Sequence, residues 1–286
     1  MVKATASPKL DRTIQLRDGR TMAYSEWGDL GGRPLIWLHG SPASRLFCPD
    51  EEATEAAGVR FITMDRPGYG RSDPLPGRTI LDWPDDLLQL ADQLDLPPSP
   101  VVGWSSGGPY ALAVGLRASD RVTTIGLAAS TGPMEHVPGD PEGRAIAELL
   151  STDRTAGIAA ITLETAWLAG DGLEAMFEES WGDADDLILS DRANLAAIKA
   201  LTREAARQGS IGFTADEVAE YSPWGFSVAD IIQRAYVWSG AFDSMVGRNH
   251  TDYLAATIPN AIPQTFADAG HLLPINHWAE MLAALP

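Results

Sequence analysis

Gly103-Trp104-Ser105-Ser106-Gly107 sets a serine between glycines two residues before and two residues after it. A serine hydroxyl is a weak nucleophile. It gains reactivity when a sharp turn exposes its oxygen and a neighbouring base takes its proton. The flanking glycines leave room for a strained backbone and for close helix–strand packing. The stretch follows the β-branched pair Val101-Val102 and precedes a helix-forming run. A helix there aims its first N–H groups at developing negative charge, and the N–H of Ser106 is the nearest oxyanion donor. A glycine–serine turn without chemistry has the same composition, so partners are needed.

Three further stretches supply them. His39-Gly40-Ser41-Pro42 follows an apolar run beginning at Pro34, and the N–H of Ser41 there can be the second oxyanion donor. Asp243, in Gly240-Ala241-Phe242-Asp243, comes shortly after the run Ala235 to Ser239 and can orient a histidine. Ala269-Gly270-His271 follows the last apolar run. Asp252 reads as helical, and Asp268 lies too near His271 in sequence to be preferred. His39, His136, His250 and His277 fit the order serine, aspartate, histidine less well than His271 does.

The elements that must hold these residues read as follows. Thr13 to Leu16 and Thr21 to Trp27 form a hairpin through Asp18-Gly19. Short apolar runs at Pro34–Leu38, Val59–Met64, Pro100–Val102 and Val122–Leu127 are buried strands. Between them, Leu81, Leu87, Leu88, Leu90, Ala91 and Leu94 recur at helix period, with Asp82 to Asp86 suiting the helix start. Strands alternating with helices imply a parallel sheet covered on both faces. From about Met134 to Tyr221 the alternation stops and the pattern is helical, with Leu173, Met176, Phe177 and Trp181 on one stripe. Strand signals return at Ala235–Ser239 and near Gln264–Phe266, before a last helix around His277 to Leu285.

Composition narrows the class of function. The chain has 286 residues, 45% hydrophobic and 21% charged, enough for a sizeable core in one domain, or in one domain with an inserted lid. Its formal charge of −18 argues against nucleic acid and anionic membranes as partners. Cys48 is the one cysteine and reads as a buried apolar side chain, so no internal disulfide is possible. Five dispersed histidines and no cysteine pair give no zinc pattern. The N-terminal residues lack the apolar core of a signal peptide and no run reaches a membrane span, so the expected location is the cytoplasm.

Taken together, His39-Gly40-Ser41-Pro42, Asp65-Arg66-Pro67-Gly68-Tyr69-Gly70-Arg71-Ser72, Gly103-Trp104-Ser105-Ser106-Gly107-Gly108, Asp243 and Gly270-His271 resemble the α/β-hydrolase superfamily. The resemblance spans nearly the whole chain. It implies a mostly parallel eight-stranded α/β sheet with helices on both faces and a helical lid between strands 6 and 7. The core would then be residues 1–133 and 226–286, and the lid residues 134–225. The segment Asp65 to Ser72 resembles the family's loop after its fourth strand and is given a structural role.

The activity implied is hydrolysis of a small-molecule substrate, a small to medium and partly apolar ester, through an acyl-enzyme that needs no metal or organic cofactor. Ser105 is the nucleophile, His271 the base, Asp243 its orienting group, and Ser41 and Ser106 the oxyanion donors. His39, Gly40, Trp104, Trp167, Met176 and Phe177 are candidate pocket residues, although each can equally serve packing. Some branches fit poorly. Epoxide hydrolases and haloalkane dehalogenases use an aspartate nucleophile, lipase-type HGGG loops are absent, and proline iminopeptidases usually place Trp after the nucleophile. An amine-binding aminopeptidase of that type, a carbon–carbon bond hydrolase and a ligand-binding receptor on the same fold stay open. Turnover of activated esters separates an enzyme from a binder.

Overall fold

The computed structural model describes residues 4, 5, 7–137, 141–170 and 172–285. Its eight strands are β1 Leu10–Gln15, β2 Thr21–Gly28, β3 Arg33–Leu38, β4 Val59–Met64, β5 Ser99–Trp104, β6 Val122–Ala128, β7 Arg234–Gly240 and β8 Ala261–Phe266. They form one sheet in the order β1-β2-β4-β3-β5-β6-β7-β8. β2 runs antiparallel to both β1 and β4, and every other pairing is parallel.

Period-two alternation divides the strands between two cores. Ile36, Leu38, Ile62, Met64, Val101, Ile125 and Leu127 pack into one apolar cluster. Leu35, Trp37, Val59, Phe61, Val102 and Ala128 pack into another. The helices of the α/β core are α1 Glu51–Ala56, α2 Trp83–Gln93, α3 Gly107–Arg117, α10 Arg248–Thr257 and α11 Leu273–Ala284. Between β6 and β7 lie α4 Pro141–Thr152, α5 Arg154–Glu164, α6 Gly172–Ala175, α7 Asp183–Leu189, α8 Arg192–Ala205 and α9 Ile211–Tyr221. Leu87, Leu90 and Ala91 of α2 join the first cluster, and Trp278, Met281 and Leu282 of α11 join the second. No described helix is long and apolar enough to cross a membrane.

Three local expectations need correction. β1 begins at Leu10, three residues early, because charged Asp11 and Arg12 pair with Ser25 and Tyr24 on this edge strand. The Asp11 carboxylate is held there by Arg45, 2.7 Å away. The last helix starts at Leu273, with Pro274 in its first turn, where a missing N–H costs nothing. Leu173, Met176, Phe177 and Trp181 do not share a helix stripe. Only Leu173 lies in the four-residue α6, and Gly182 at φ +100° turns the chain into α7. Phe177 stacks on Trp181 instead, with centroids 6.1 Å apart.

The segment Asp65 to Ser72 has structural contacts throughout. Asp65 is fully buried and accepts from the N–H groups of Arg45 (2.7 Å) and Arg71 (3.1 Å). Gly70 sits at φ +48°, and a Cβ there would lie 2.1 Å from the Asp65 carboxylate. The turn therefore requires glycine.

Candidate active site

β5 delivers Ser105 and α3 begins two residues later. Ser105 has φ +55°, a left-handed backbone that a non-glycine residue adopts only at a cost of about 1–2 kcal/mol. Contacts on both sides hold it there. Its N–H donates to Ala128 O (2.8 Å) and its carbonyl accepts from Gly108 N (3.0 Å). The glycines let the helix come this close. A Cβ on Gly103 would lie 2.3 Å from Gly107 O, and one on Gly107 would lie 2.2 Å from Leu38 O. Both obstacles are backbone, so Gly107→Ala is expected to lower the thermal unfolding midpoint by roughly 5 °C or more. An unchanged midpoint would contradict this account of the elbow.

His271 stands across from Ser105 on the loop between β8 and α11. Its Nδ1 lies 3.1 Å from Asp243 Oδ2 and 3.2 Å from Oδ1. Asp243 follows β7, and its Oδ1 also accepts from the N–H groups of Met245 and Val246, each at 2.9 Å. Burial alone would raise the Asp243 pKa. His271 and these donors outweigh it and hold the carboxyl below the usual carboxylate range.

The histidine backbone is anchored from two sides. Trp104 Nε1 donates to His271 O (3.0 Å), and His271 N and Leu272 N donate to the two oxygens of Asp185, each at 2.8 Å. Asp185 belongs to α7 in the helical insertion and is fully buried. The sequence reading missed it, since a lone aspartate in an acidic helix start carries no distinguishing signal.

The loop after β3 carries His39, Gly40 and Ser41. Arg66 clamps it, donating to the carbonyls of His39 and Gly40 and to Ser41 Oγ (3.0 Å). Arg66 N also donates to His39 Nε2 (3.2 Å). Behind the loop, Asp216 of α9 accepts from Ser41 Oγ (2.5 Å), Tyr69 OH (2.8 Å), Tyr110 OH (2.7 Å), Arg66 Nη2 (2.6 Å) and Arg78. Asp216, too, was invisible in the sequence. Its partners come from four distant segments.

Two cavities meet at Ser105. The larger, about 550 Å³, has Ser41, Ser105, Ser106 and His271 on its walls, together with Glu217, Glu220 and His250. The smaller, about 50 Å³, is bounded by Gly40, Trp104, Met176, Trp181 and Leu201 besides Ser105 and His271. Among the described residues, neither Ser41 N–H nor Ser106 N–H donates a hydrogen bond, and the Ser105 hydroxyl has no partner. Three expected pocket residues lie elsewhere. His39 is buried behind its loop with its ring edge-on to Tyr69, Trp167 packs on Phe213, and Phe177 packs under Lys199. His250, set aside on sequence order, does line the larger cavity. Gly132 N donates to its Nδ1 (3.0 Å), which places the ring proton on Nε2.

A family model described as the alpha/beta hydrolase fold matches residues 33–277. The chain belongs to the α/β-hydrolase family. It is 35% identical to a non-heme chloroperoxidase of Kitasatospora aureofaciens over 41% of this chain and 43% of that one. It is 26% identical to a 2-hydroxy-6-oxononadienedioate/2-hydroxy-6-oxononatrienedioate hydrolase of Cupriavidus pinatubonensis, over 96% of this chain and 94% of that one. The chain spans 33–60% of the length of the first curated relatives it matches. Among solved structures, a thermophilic esterase of Thermogutta terrifontis superposes with a TM-score of 0.67 and 22% identity, over 96% of each chain. At that identity the likeness is one of fold.

Proposed function

We propose that this α/β-hydrolase is a serine esterase acting through an acyl-enzyme. The observation that carries the reading is the strained Ser105 at φ +55°, opening on a cavity it shares with His271 and two unengaged N–H groups. Strain of this kind persists only where the surrounding structure enforces it. His271, its Nδ1 proton held by Asp243, takes the Ser105 proton as Oγ attacks the ester carbonyl carbon. The N–H groups of Ser41 and Ser106 receive the oxyanion. The C–O bond breaks, the alcohol leaves with the proton from His271, and water activated by His271 releases the acid. Ser105 and His271 make no hydrogen bond here, and catalytic hydrogen bonds commonly tighten only in the complex with substrate.

The helical insertion between β6 and β7 acts in this reading as a lid, since Met176 just after α6, Leu201 of α8, and Glu217 and Glu220 of α9 contribute to the walls around Ser105. Carbon–carbon bond hydrolysis is the second reading, favoured by the nearly full-length likeness to the dienedioate hydrolase. The chamber weighs against it, because its described lining holds no lysine or arginine to receive a doubly anionic substrate.

A fluorophosphonate probe tests the proposal. Covalent labelling is expected at Ser105 and is expected to vanish in Ser105→Ala. Labelling elsewhere, or none under conditions in which 4-nitrophenyl butanoate turns over, would remove Ser105 from the mechanism.

A further inference from the structure

Within the larger cavity the charge is one-sided. Glu217 and Glu220 stand three residues apart on α9, on the same face of the helix, and both line the chamber that holds Ser105 and His271. The described lining residues include no lysine or arginine. Glu220 is only 5% exposed. Its Oε2 accepts from Thr131 Oγ1 (3.1 Å), while its Oε1 is buried and makes no hydrogen bond of good geometry, the Ser106 hydroxyl being only a weaker partner of this carboxyl. A buried carboxylate oxygen without a partner is costly, and such groups persist where something else satisfies them. The ester chemistry proposed above uses neither glutamate.

We propose that the chamber takes an ester whose acyl or alcohol part carries a primary ammonium, bound by Glu220 with Glu217 as the second carboxylate. The proposal rests on the serine-esterase reading for the scissile bond and adds the substrate class. A primary ammonium supplies the donors that Oε1 lacks and a charge that two carboxylates attract. The formal charge of −18 favours the approach of a cation. The smaller cavity, about 50 Å³ and edged by Trp104, Met176 and Leu201, suits the uncharged part.

The protonation state agrees with this. Burial and Asp216 raise the Glu220 pKa to about 8, against the opposing pull of Arg66, Ser106 and Thr131. Burial, Glu220, Asp216 and Glu164 push Glu217 well above the usual range. His250 and His271 face the same chamber. Without ligand, Glu220 therefore holds a proton near neutrality, and an entering ammonium displaces it.

Two matched substrate pairs test the inference. In 4-nitrophenyl β-alaninate and 4-nitrophenyl butanoate, an ammonium replaces a methyl on the acyl side. In 4-aminobutyl acetate and pentyl acetate, an ammonium replaces a methyl on the alcohol side. The cationic member of at least one pair is expected to show a kcat/KM higher by about tenfold or more. In Glu220→Gln that ratio is expected to fall towards one. In wild-type protein the preference should grow from about pH 6.5 to about pH 8.5, as the carboxylate form takes over. Equal or better turnover of the neutral member in both pairs overturns the inference while leaving the esterase reading in place. If no ester turns over, calorimetric titration with n-butylammonium still decides. Binding weakened by Glu220→Gln supports the subsite, and absence of binding removes it.

Discussion

Replacing His271 by alanine is expected to lower kcat for 4-nitrophenyl butanoate by at least about a thousandfold and to leave the fold intact. The two halves of this expectation have separate causes. The side chain alone reaches Asp243, at 3.1 Å. The structural contacts at this position, from His271 N to Asp185 and from Trp104 Nε1 to His271 O, belong to the backbone and survive in alanine. Circular dichroism should therefore match wild type while the rate collapses. Asp243→Asn is expected to cost a similar factor, up to about 10⁴, because an amide no longer holds the Nδ1 proton in place. Its loop stays put, since one side-chain oxygen still accepts from Met245 N and Val246 N. Retention of more than about a tenth of wild-type kcat in either folded variant would be incompatible with the assignment.

How far this site was legible in the sequence depended on whether each residue's role is local. Ser105 was legible because its conformation needs glycines at fixed offsets, and the clash distances at Gly103 and Gly107 show why. Asp243 and His271 were legible because each follows a strand at the carboxyl edge of the sheet, where an open α/β sheet presents its side chains. The strands themselves follow from short apolar runs whose alternate residues serve two cores. The helical insertion was legible only as a change of period. Which of its faces meet the site depends on contacts across distant segments, such as Asp185 to His271 over 86 residues and Ser41 to Asp216 over 175. Large apolar side chains were a poor guide for the same reason. Trp167 and Phe177 found packing partners, and the chamber's walls went to Glu217, Glu220 and His250.

Asp216→Ala is expected to destabilise the protein by roughly 3–5 kcal/mol, read as a shift in the denaturant midpoint. The carboxylate is fully buried, and so is Arg66, with Arg78 nearly so. Burial by itself would raise the Asp216 pKa, but the two guanidiniums and the hydroxyls around it hold it far below the usual range. By linkage, that depressed value is stability present above the ordinary carboxylate pKa and lost only as pH falls through the folded-state value. Acidification through the range where exposed carboxylates protonate should therefore leave this cluster ionised.

Alanine removes the shared acceptor and strands two buried cations, with Tyr69 and Tyr110 losing the same partner. The damage should also reach the chemistry. Arg66 and Asp216 together fix Ser41, whose N–H is the proposed oxyanion donor. A folded fraction of Asp216→Ala, measured at low temperature, should thus show a lowered kcat more than a raised KM. Asp216→Asn separates the two effects. It keeps the shape and loses the charge, so it should recover part of the loop geometry while remaining less stable than wild type. A denaturant midpoint within about 1 kcal/mol of wild type for the alanine variant would mean that Arg66 and Arg78 find other partners, and that α9 is not tied to the core through this carboxylate.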